Sequence, residues 1–337
     1  MKTTTKTQLG KAGPTVFPMA LGCMSMGAGS WYGPSDDAES IATIHEALER
    51  GVNILDTGDF YGMGKNELLI GKALRDRRDK ALISVKFGGL RGPDGAFLGH
   101  DARPMATKNF LAYSLSRLGV DYIDIYRPAR VDPQVPIEDT IGAIADMVKA
   151  GYVRHIGLSE VGADAIRRAS AVHPISDLQI EYSLISRGIE EDILPACREL
   201  CIGITAYGVL SRGLISGHWS KAREGERGFR ANAPRFQGAN LDANLALVDA
   251  IRGIAKGIGA SVAQVAIAWV VSQGPDIVPL IGARRRDRLA EALGALNVKL
   301  SADDLTKLAE ALPPGVAAGE RYPAEALAHM DSEKKRA

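Results

Sequence analysis

Short apolar runs alternate with longer amphipathic segments along most of the chain. Eight short, mostly apolar runs predict β-strands, at residues 19–21, 52–55, 82–85, 122–126, 155–158, 178–181, 202–206 and 277–280. Between them, apolar positions recur at helical spacing and predict α-helices, at residues 37–50, 66–75, 106–118, 137–150, 163–171 and 191–200. Strands that alternate with helices are typical of an α/β protein with a parallel sheet, and eight of them predict a single (β/α)8 TIM barrel.

Three segments depart from this alternation. Residues 6–17 contain the turn sequence GKAGP and predict an N-terminal β-hairpin ahead of the barrel. Residues 210–240 are rich in Gly and Arg and too long for an ordinary connection, which favours a lid or binding element over a disordered insertion. Residues 325–337 are expected to form a flexible tail. No Pro-rich or low-complexity linker divides the sequence, so we expect one domain over residues 1–337.

Composition narrows the classes of partner. With 337 residues and 46% hydrophobic content the chain can bury a large core, and a formal net charge of +1 offers no field for nucleic acid or membranes. We therefore expect a small-molecule partner. Cys23, Cys197 and Cys201 form no even disulfide framework, and the histidines lack metal-site spacing. The N-terminus lacks an apolar signal region and the apolar stretch at 262–271 is too short for a bilayer, so we expect a cytoplasmic protein.

Three ionisable residues follow two neighbouring predicted strands. Asp56 and Tyr61 come after the second strand, and Lys86 ends the third. Barrel enzymes place their active sites at the C-terminal ends of the strands, so these side chains are expected to meet. A buried ammonium held by a carboxylate would lower the pKa of a neighbouring phenol from about 10 toward the operating pH. The three residues together predict an acid–base device, although each alone is more typical of a turn or a solvated charge.

The last predicted strand leads into an arginine-rich segment, residues 281–288. No Gly-x-Gly-x-x-Gly pattern follows any strand, so a Rossmann nucleotide site is not supported. Backbone N–H groups and guanidiniums at a helix start suit a phosphate, and a solvated basic helix start is the alternative.

At these positions the chain resembles the aldo-keto reductase family. The matching segments are LGCM at 21–24, LDTGDFYG at 55–62, NELLIGKAL at 66–74, SLSRLGVDYID at 114–124 and GLSE at 157–160. The resemblance implies NADPH-dependent reduction of an aldehyde or ketone by hydride transfer. It makes Tyr61 the proton donor, Lys86 its activator and Asp56 the partner of the lysine.

The resemblance also implies a set of residues that bind NADPH or NADP+. Ser159, Glu160 and Gln179 would hold the nicotinamide carboxamide and Tyr207 would stack on its ring, whereas simple hydrogen bonding within the core is the alternative. At the other end, Arg284 or Arg288 would bind the 2′-phosphate and Glu291 the adenine. The remaining expected contacts are Gly22, Cys23, Met24, Asp56, Gly208, Leu210, Arg212, Gly213, Gly282 and Ala283. Ile281 and Ala292 depart from one common family pattern, in which proline and asparagine are frequent at these positions.

The histidine that usually follows the fourth strand is missing. The family commonly reads Tyr-x-x-His-Arg-Val-Asp, and residues 126–132 read YRPARVD, which places Ala129 at the histidine position. Losing that hydrogen-bond donor predicts slower reduction or a narrower range of substrates. Alternatively, the small side chain leaves room for a bulky ketone, or Arg127 or a water molecule donates the hydrogen bond instead. The expected substrate pocket contains Trp31, Tyr32, Phe60, Tyr61 and Arg127.

Two other functions remain open from the sequence. An NADPH-binding sensor or partner subunit with vestigial chemistry is compatible with Ala129. A lyase that forms a Schiff base on Lys86 fits a barrel but not the arginine-rich segment. The resemblance favours a reductase that acts on a small-molecule carbonyl compound. We expect no metal in the protein, and the sequence does not determine its oligomeric state.

Overall fold

Eight parallel strands close into a barrel in the computed structural model, which describes residues 6–27, 32–225 and 228–334. The strands are β1 (Thr7–Gln8), β2 (Thr15–Val16), β3 (Ala20–Gly22), β4 (Ile54–Gly58), β5 (Leu82–Phe87), β6 (Gly89–Arg91), β7 (Phe97–His100), β8 (Ile123–Pro128), β9 (Val153–Ser159), β10 (Ile175–Glu181), β11 (Gly203–Tyr207) and β12 (Ile277–Gly282). The barrel order is β3-β4-β5-β8-β9-β10-β11-β12, with β12 pairing again with β3. Each predicted strand overlaps one of these, so the (β/α)8 barrel is confirmed.

Helices cover the outside of the barrel. They are α1 (Asp37–Glu49), α2 (Lys65–Leu74), α3 (Pro104–Leu118), α4 (Ile137–Lys149), α5 (Ala163–Val172), α6 (Ile193–Glu199), α7 (Gly238–Ile258), α8 (Val262–Ser272), α9 (Arg286–Gly294), α10 (Ala302–Ala311) and α11 (Ala324–Leu327). Local sequence explains their limits. Ser261 and Gln264 form a reciprocal capping box at the start of α8, and Gly119 ends α3 in the left-handed conformation. In the part of the chain that the structure describes, no single helix is long and apolar enough to cross a membrane. Helices α7 and α8 are long and apolar enough only when taken together, and the pair is bent by 86°.

Two antiparallel hairpins lie outside the barrel. The predicted N-terminal hairpin, β1 with β2, is confirmed and lies against the N-terminal ends of the strands, where the Lys11 amide donates to the Cys201 carbonyl at 2.8 Å. Gly10 has a φ of +64°, and a Cβ there would lie 2.2 Å from the Ser176 carbonyl oxygen, so only glycine fits. The second hairpin, β6 with β7, follows the strand that carries Lys86. It brings additional side chains to the C-terminal end of the barrel.

The barrel interior contains a buried ion pair as well as apolar side chains. Arg127 on β8 holds Asp177 on β10 through both carboxylate oxygens, at 2.9 and 3.2 Å. Thr205 on β11 donates to the same carboxylate at 2.5 Å, and Ser84 on β5 accepts from the guanidinium at 3.1 Å. These contacts cross-link four strands below the mouth of the barrel.

Residues 210–240 and the C-terminal segment both return to that mouth. Residues 210–225 and 228–237 form short 3-10 turns before α7 begins. The tail that the sequence predicted to be flexible is described up to residue 334 and makes specific contacts. The Ser332 amide donates to the Glu160 carbonyl, and the Asp331 carboxylate accepts from the Gly162 amide. Residues 335–337 lie outside the described residues.

Candidate active site

A cavity of about 800 Å³ opens at the C-terminal ends of the barrel strands. One end contains Tyr61, Lys86 and Ala129, and the cavity continues past Tyr207 to Gly282 and the start of α9. Strand register explains this convergence, because β4 pairs with β5 so that Gly58 faces Lys86 and Asp56 faces Ser84. The structure therefore brings together the side chains that the sequence placed after separate strands.

Lys86 and Asp56 form the polar floor of this cavity. Lys86 Nζ donates to Asp56 Oδ1 and lies 5.3 Å from the centre of the Tyr61 ring. Asp56 Oδ2 accepts from Ser84 Oγ at 2.8 Å and from Gln179 Nε2 at 2.7 Å. Burial lowers the pKa of Lys86, whereas the charge of Asp56 opposes that shift. The carboxylate thus keeps an ammonium beneath the phenol.

Tyr61 holds its proton more firmly than the sequence predicted. Its side chain is only 7% exposed and packs edge-on against Phe60, with ring centres 4.9 Å apart. Burial raises the pKa of Tyr61 well above 10, and the negative charge of Asp56 raises it further. The expected lowering is therefore wrong for this structure, because burial and the charge of Asp56 both raise the pKa of Tyr61. Tyr61 is a neutral phenol, able to donate its proton.

The two arginines beside Ala129 point to different places. Arg127 is 1% exposed and is bound to Asp177 inside the barrel. The prediction that it lines the substrate pocket is therefore wrong. Arg130, which the sequence did not single out, lines the cavity together with Ala129. Donation by Arg127 to a substrate would require breaking its buried ion pair with Asp177.

Glu160 is a structural residue in this arrangement, in contrast to the expected nicotinamide contact. Its carboxylate is buried and accepts from Tyr207 Oη at 2.6 Å, the Glu181 amide at 3.1 Å, Arg321 Nη2 at 2.6 Å and Ser332 Oγ at 2.6 Å. Ser159 and Gln179 line the cavity, whereas Glu160 does not. Its hydrogen-bonding capacity is used by Tyr207, the Glu181 amide and the C-terminal segment.

Tyr322 of that segment and Arg212 of the loop after β11 lie together in the middle of the cavity. Tyr322 Oη lies 2.9 Å from Tyr207 Oη, and the Arg212 guanidinium lies 4.1 Å from the centre of the Tyr322 ring. Arg212 also pairs with the buried Glu181 at 3.0 Å. The predicted Gly208, Leu210, Arg212 and Gly213 all line the cavity at this point. Arg235, from the same loop, donates to Ser186 Oγ at 2.7 Å and does not line the cavity.

The far end of the cavity has the features of a phosphate site. Gly282, Ala283, Arg284, Arg288 and Glu291 all line it. A Cβ on Gly282 would meet no atom within 4 Å, so the strand end leaves open space directly before α9. Open space, a helix start and two guanidiniums fit the phosphate end of a nicotinamide dinucleotide.

Glu291, the expected adenine contact, is already paired. Its Oε2 accepts from Arg288 Nη1 at 3.1 Å and lies 2.8 Å from His218 Nε2. His218 was not predicted, because it comes from the long segment after β11 and carries no motif. Glu291 is thus positioned by two cationic or polar neighbours at the cavity wall.

The remaining predicted residues divide into three groups. Gly22, Met24, Tyr32 and Phe60 line the cavity. Cys23 is fully buried behind the wall, where burial raises the pKa of its thiol. Trp31 lies outside the described residues. Among the cavity residues that sequence reasoning missed, the β6–β7 hairpin contributes Arg91, Phe97 and His100, and the C-terminal segment contributes Tyr322, Ala326, His329 and Met330.

Comparison with known proteins gives one consistent result. Residues 18–313, which include every barrel strand, match the model of the Aldo/keto reductase family. A Glycine max protein named probable aldo-keto reductase 1 is 43% identical over 318 residues, covering 94% of this chain and 91% of that protein. A glycerol dehydrogenase structure from Gluconobacter oxydans has a TM-score of 0.81 at 28% identity, covering 92% and 95% of the two chains. The holo form of an aldo-keto reductase from Bacillus halodurans has a TM-score of 0.78 at 26% identity, covering 94% and 98%.

Replacing Arg321 with Met should destabilise the protein in a pH-dependent way. Burial raises the pKa of Glu160, but Arg321 outweighs it and lowers that pKa from 4.5 to about 2. A lowered folded-state pKa contributes stability above pH 4.5 that is lost as the pH falls toward 2. We expect Arg321→Met to lose about 3–5 kcal/mol at pH 7 and the difference from the parent protein to shrink below pH 4.5. Urea denaturation across this range measures it.

Lys307→Met is the matched control for this measurement. Lys307 pairs with Asp303 on the surface, with 57% of the lysine side chain exposed. We expect it to leave the unfolding free energy nearly unchanged at every pH, because exposed ion pairs contribute little to stability. A loss in Arg321→Met that does not vary with pH would contradict the assignment of the effect to Glu160.

Proposed function

The chain belongs to the aldo/keto reductase family, and we propose that it reduces an aldehyde or ketone to the alcohol with NADPH as hydride donor. Family membership makes it an oxidoreductase that acts on small-molecule carbonyl compounds. The observation that carries the finer proposal is the position of Tyr61 above the Lys86–Asp56 pair in the cavity.

Tyr61 serves as the proton donor in this proposal. Its raised pKa keeps the phenol protonated until negative charge develops on the substrate oxygen. The buried ammonium of Lys86 then stabilises the phenolate that remains, because opposite charges attract strongly where water is excluded. Asp56 holds the lysine in place through its other hydrogen bonds to Ser84 and Gln179. Bound NADPH supplies the hydride.

The cofactor is proposed to bind along the cavity from Tyr207 to Arg288. Ser159 and the Gln179 amide would contact the carboxamide, since both line the same cavity as Lys86. Gly208, Leu210, Arg212 and Gly213 would cover the diphosphate. Arg284 and Arg288 would bind the 2′-phosphate, which favours NADPH over NADH.

Ala129 determines what kind of carbonyl compound fits. The methyl group leaves space beside Tyr61 that a histidine side chain would fill, and Phe60, Tyr32 and Phe229 supply apolar surface in the same cavity. We therefore propose a bulky oxo compound as the substrate. The competing function, an NADPH-binding sensor with vestigial chemistry, is favoured by the same residue because the usual donor to the carbonyl oxygen is absent.

Replacing Tyr61 with Phe should abolish most of the reduction without disturbing the cofactor. The variant keeps the ring packing on Phe60 but loses the proton, so kcat/KM is expected to fall about 10²- to 10⁴-fold. The oxidation of NADPH, followed by absorbance with a panel of aldehydes and ketones, measures the rate, and fluorescence titration measures NADPH affinity. A parent protein that binds NADPH tightly but reduces no carbonyl compound would support the sensor instead.

Placing a histidine at position 129 should speed the reduction of small aldehydes and slow the reduction of bulky ketones. In Ala129→His the new ring can donate to the carbonyl oxygen, so kcat/KM for small aldehydes is expected to rise about tenfold or more, part of the roughly 10²–10³ that an oxyanion donor contributes. The same ring occupies the space beside Tyr61, so bulky ketones should be reduced more slowly. Steady-state kinetics with small aldehydes and bulky ketones measures both effects. Unchanged rates for both substrate sizes would show that position 129 does not influence substrate selection.

Removing the charge at the start of α9 should weaken NADPH more than NADH. For Arg288→Gln and Arg284→Gln we expect the NADPH Kd to rise about tenfold or more, because only NADPH carries the 2′-phosphate. Arg286→Gln is the matched control, since Arg286 pairs with Glu39 at 3.0 Å and does not line the cavity. Titrations with both nucleotides measure the ratio, and equal losses for NADPH and NADH would contradict the 2′-phosphate assignment.

A further inference from the structure

Arg130 is a cation at the substrate end of the cavity. It comes directly after Ala129 where β8 has ended, and it lines the same cavity as Tyr61 and Lys86. Although burial opposes it, the nearby Tyr207 and Glu160 raise the pKa of Arg130, so the guanidinium is charged. The turn is held by the Ala129 amide, which donates to the Phe87 carbonyl at 2.8 Å.

The guanidinium of Arg130 has little of its bonding capacity in use. Its Nη1 donates to the carbonyl of Ala129 at 2.6 Å, and within the described ranges 6–27, 32–225 and 228–334 no carboxylate lies within ion-pair distance of it. Other buried arginines nearby are paired. Arg127, Arg212 and Arg321 hold carboxylates at 2.9, 3.0 and 2.6 Å. A guanidinium has five N–H donors, so Arg130 retains donors for a ligand.

Among the described residues, no carboxylate near Arg130 is available to pair with it directly. Glu160 acts on it through space, but both oxygens of that carboxylate are already bonded. The carboxylates that line the cavity are Asp56, which holds Lys86, and Glu291, which holds Arg288 at the far end. His100 lies on the same side, and burial together with the charge of Arg130 lowers its pKa to about 4. The substrate end therefore has an excess of positive charge.

Barrel order separates this cation from the proposed phosphate site. In the closed ring, β8 lies four strands from β12 in either direction, so Arg130 and Arg284 stand on opposite sides of the mouth. β8 is instead the direct neighbour of β5, which carries Lys86. An anion bound by Arg130 would therefore lie on the Lys86 side of the mouth and away from the proposed phosphate site.

We propose that Arg130 binds a carboxylate of the substrate, so that the preferred substrates are oxo acids. This inference rests on the proposed reductase function and names its substrate class. The planar guanidinium matches a carboxylate through two parallel hydrogen bonds, and the excluded water strengthens them. The carboxylate takes no part in the chemistry, and it orients the carbonyl carbon between Tyr61 and the cofactor. Arg130 thus acts in substrate binding and selection.

Matched acid and ester substrates test this assignment. Phenylglyoxylate and its methyl ester place the charge next to the carbonyl group, and 4-carboxybenzaldehyde and its methyl ester place it across a ring. With the parent protein we expect kcat/KM for at least one acid to exceed that of its ester about tenfold or more. In Arg130→Met that preference should disappear through a higher KM for the acid, with a much smaller change for the ester. Arg130→Lys should recover part of it.

The control variant is Arg103→Met, because Arg103 pairs with Asp101 and 72% of its side chain is exposed. It should retain the acid preference. A parent protein that prefers neither acid would overturn the proposal. Equal losses of kcat for acid and ester in Arg130→Met would also overturn it, since they would mean that Arg130 acts on the carbonyl oxygen.

A binding measurement separates this proposal from the reductase function itself. Calorimetric titration of the NADP+-loaded protein with benzoate does not depend on turnover. We expect measurable binding to the parent protein and to Arg103→Met, and at least about tenfold weaker binding to Arg130→Met. The same affinity in all three proteins would overturn the assignment of Arg130 even if every ester is reduced. Binding that depends on Arg130 without turnover would support the anion site and contradict the reductase.

Discussion

Pairing of charges in the barrel interior is the constraint on which this active site depends. An unpaired ion in such an environment costs several kcal/mol, so a buried cation is strongly stabilised by a carboxylate within reach. Asp56 on β4 meets this need for Lys86 on β5, and Asp177 on β10 meets it for Arg127 on β8. Because partners come from different strands, satisfying the charges also fixes how the strands are placed relative to one another. The ammonium beneath Tyr61 is a product of that arrangement.

The same requirement organises the mouth of the barrel. Glu160 and Glu181 at the ends of β9 and β10 are buried, and Arg321 and Arg212 supply their counter-charges from the C-terminal segment and from the loop after β11. These pairs hold both segments over the cavity, which excludes water and keeps the phenol of Tyr61 neutral. Arg130 differs from its neighbours because its counter-charge is left to a ligand. Structure and specificity therefore use the same type of interaction.

The barrel and the acid–base residues could be predicted from the sequence because both depend on local patterns. Short apolar runs between amphipathic helices predict the eight strands, and the ends of parallel strands meet at one face, which is why Asp56 and Lys86 are found together. The pKa of Tyr61 was predicted in the wrong direction, since burial and the charge of Asp56 raise it. The partner of Glu160 could not be predicted, because Arg321 is 161 residues away and carries no motif.

The sequence by itself determined the order of the strands, the residues that follow them and the alanine at position 129. Only the tertiary structure decided which arginine beside Ala129 reaches the cavity. Arg127 lies within β8, where Asp177 from across the barrel binds it in the interior. Arg130 lies beyond the strand, where the turn anchored on Phe87 directs it to the mouth. The physical reason is that a motif specifies the position of a charged side chain in the chain, whereas its partner in space decides where that side chain is held.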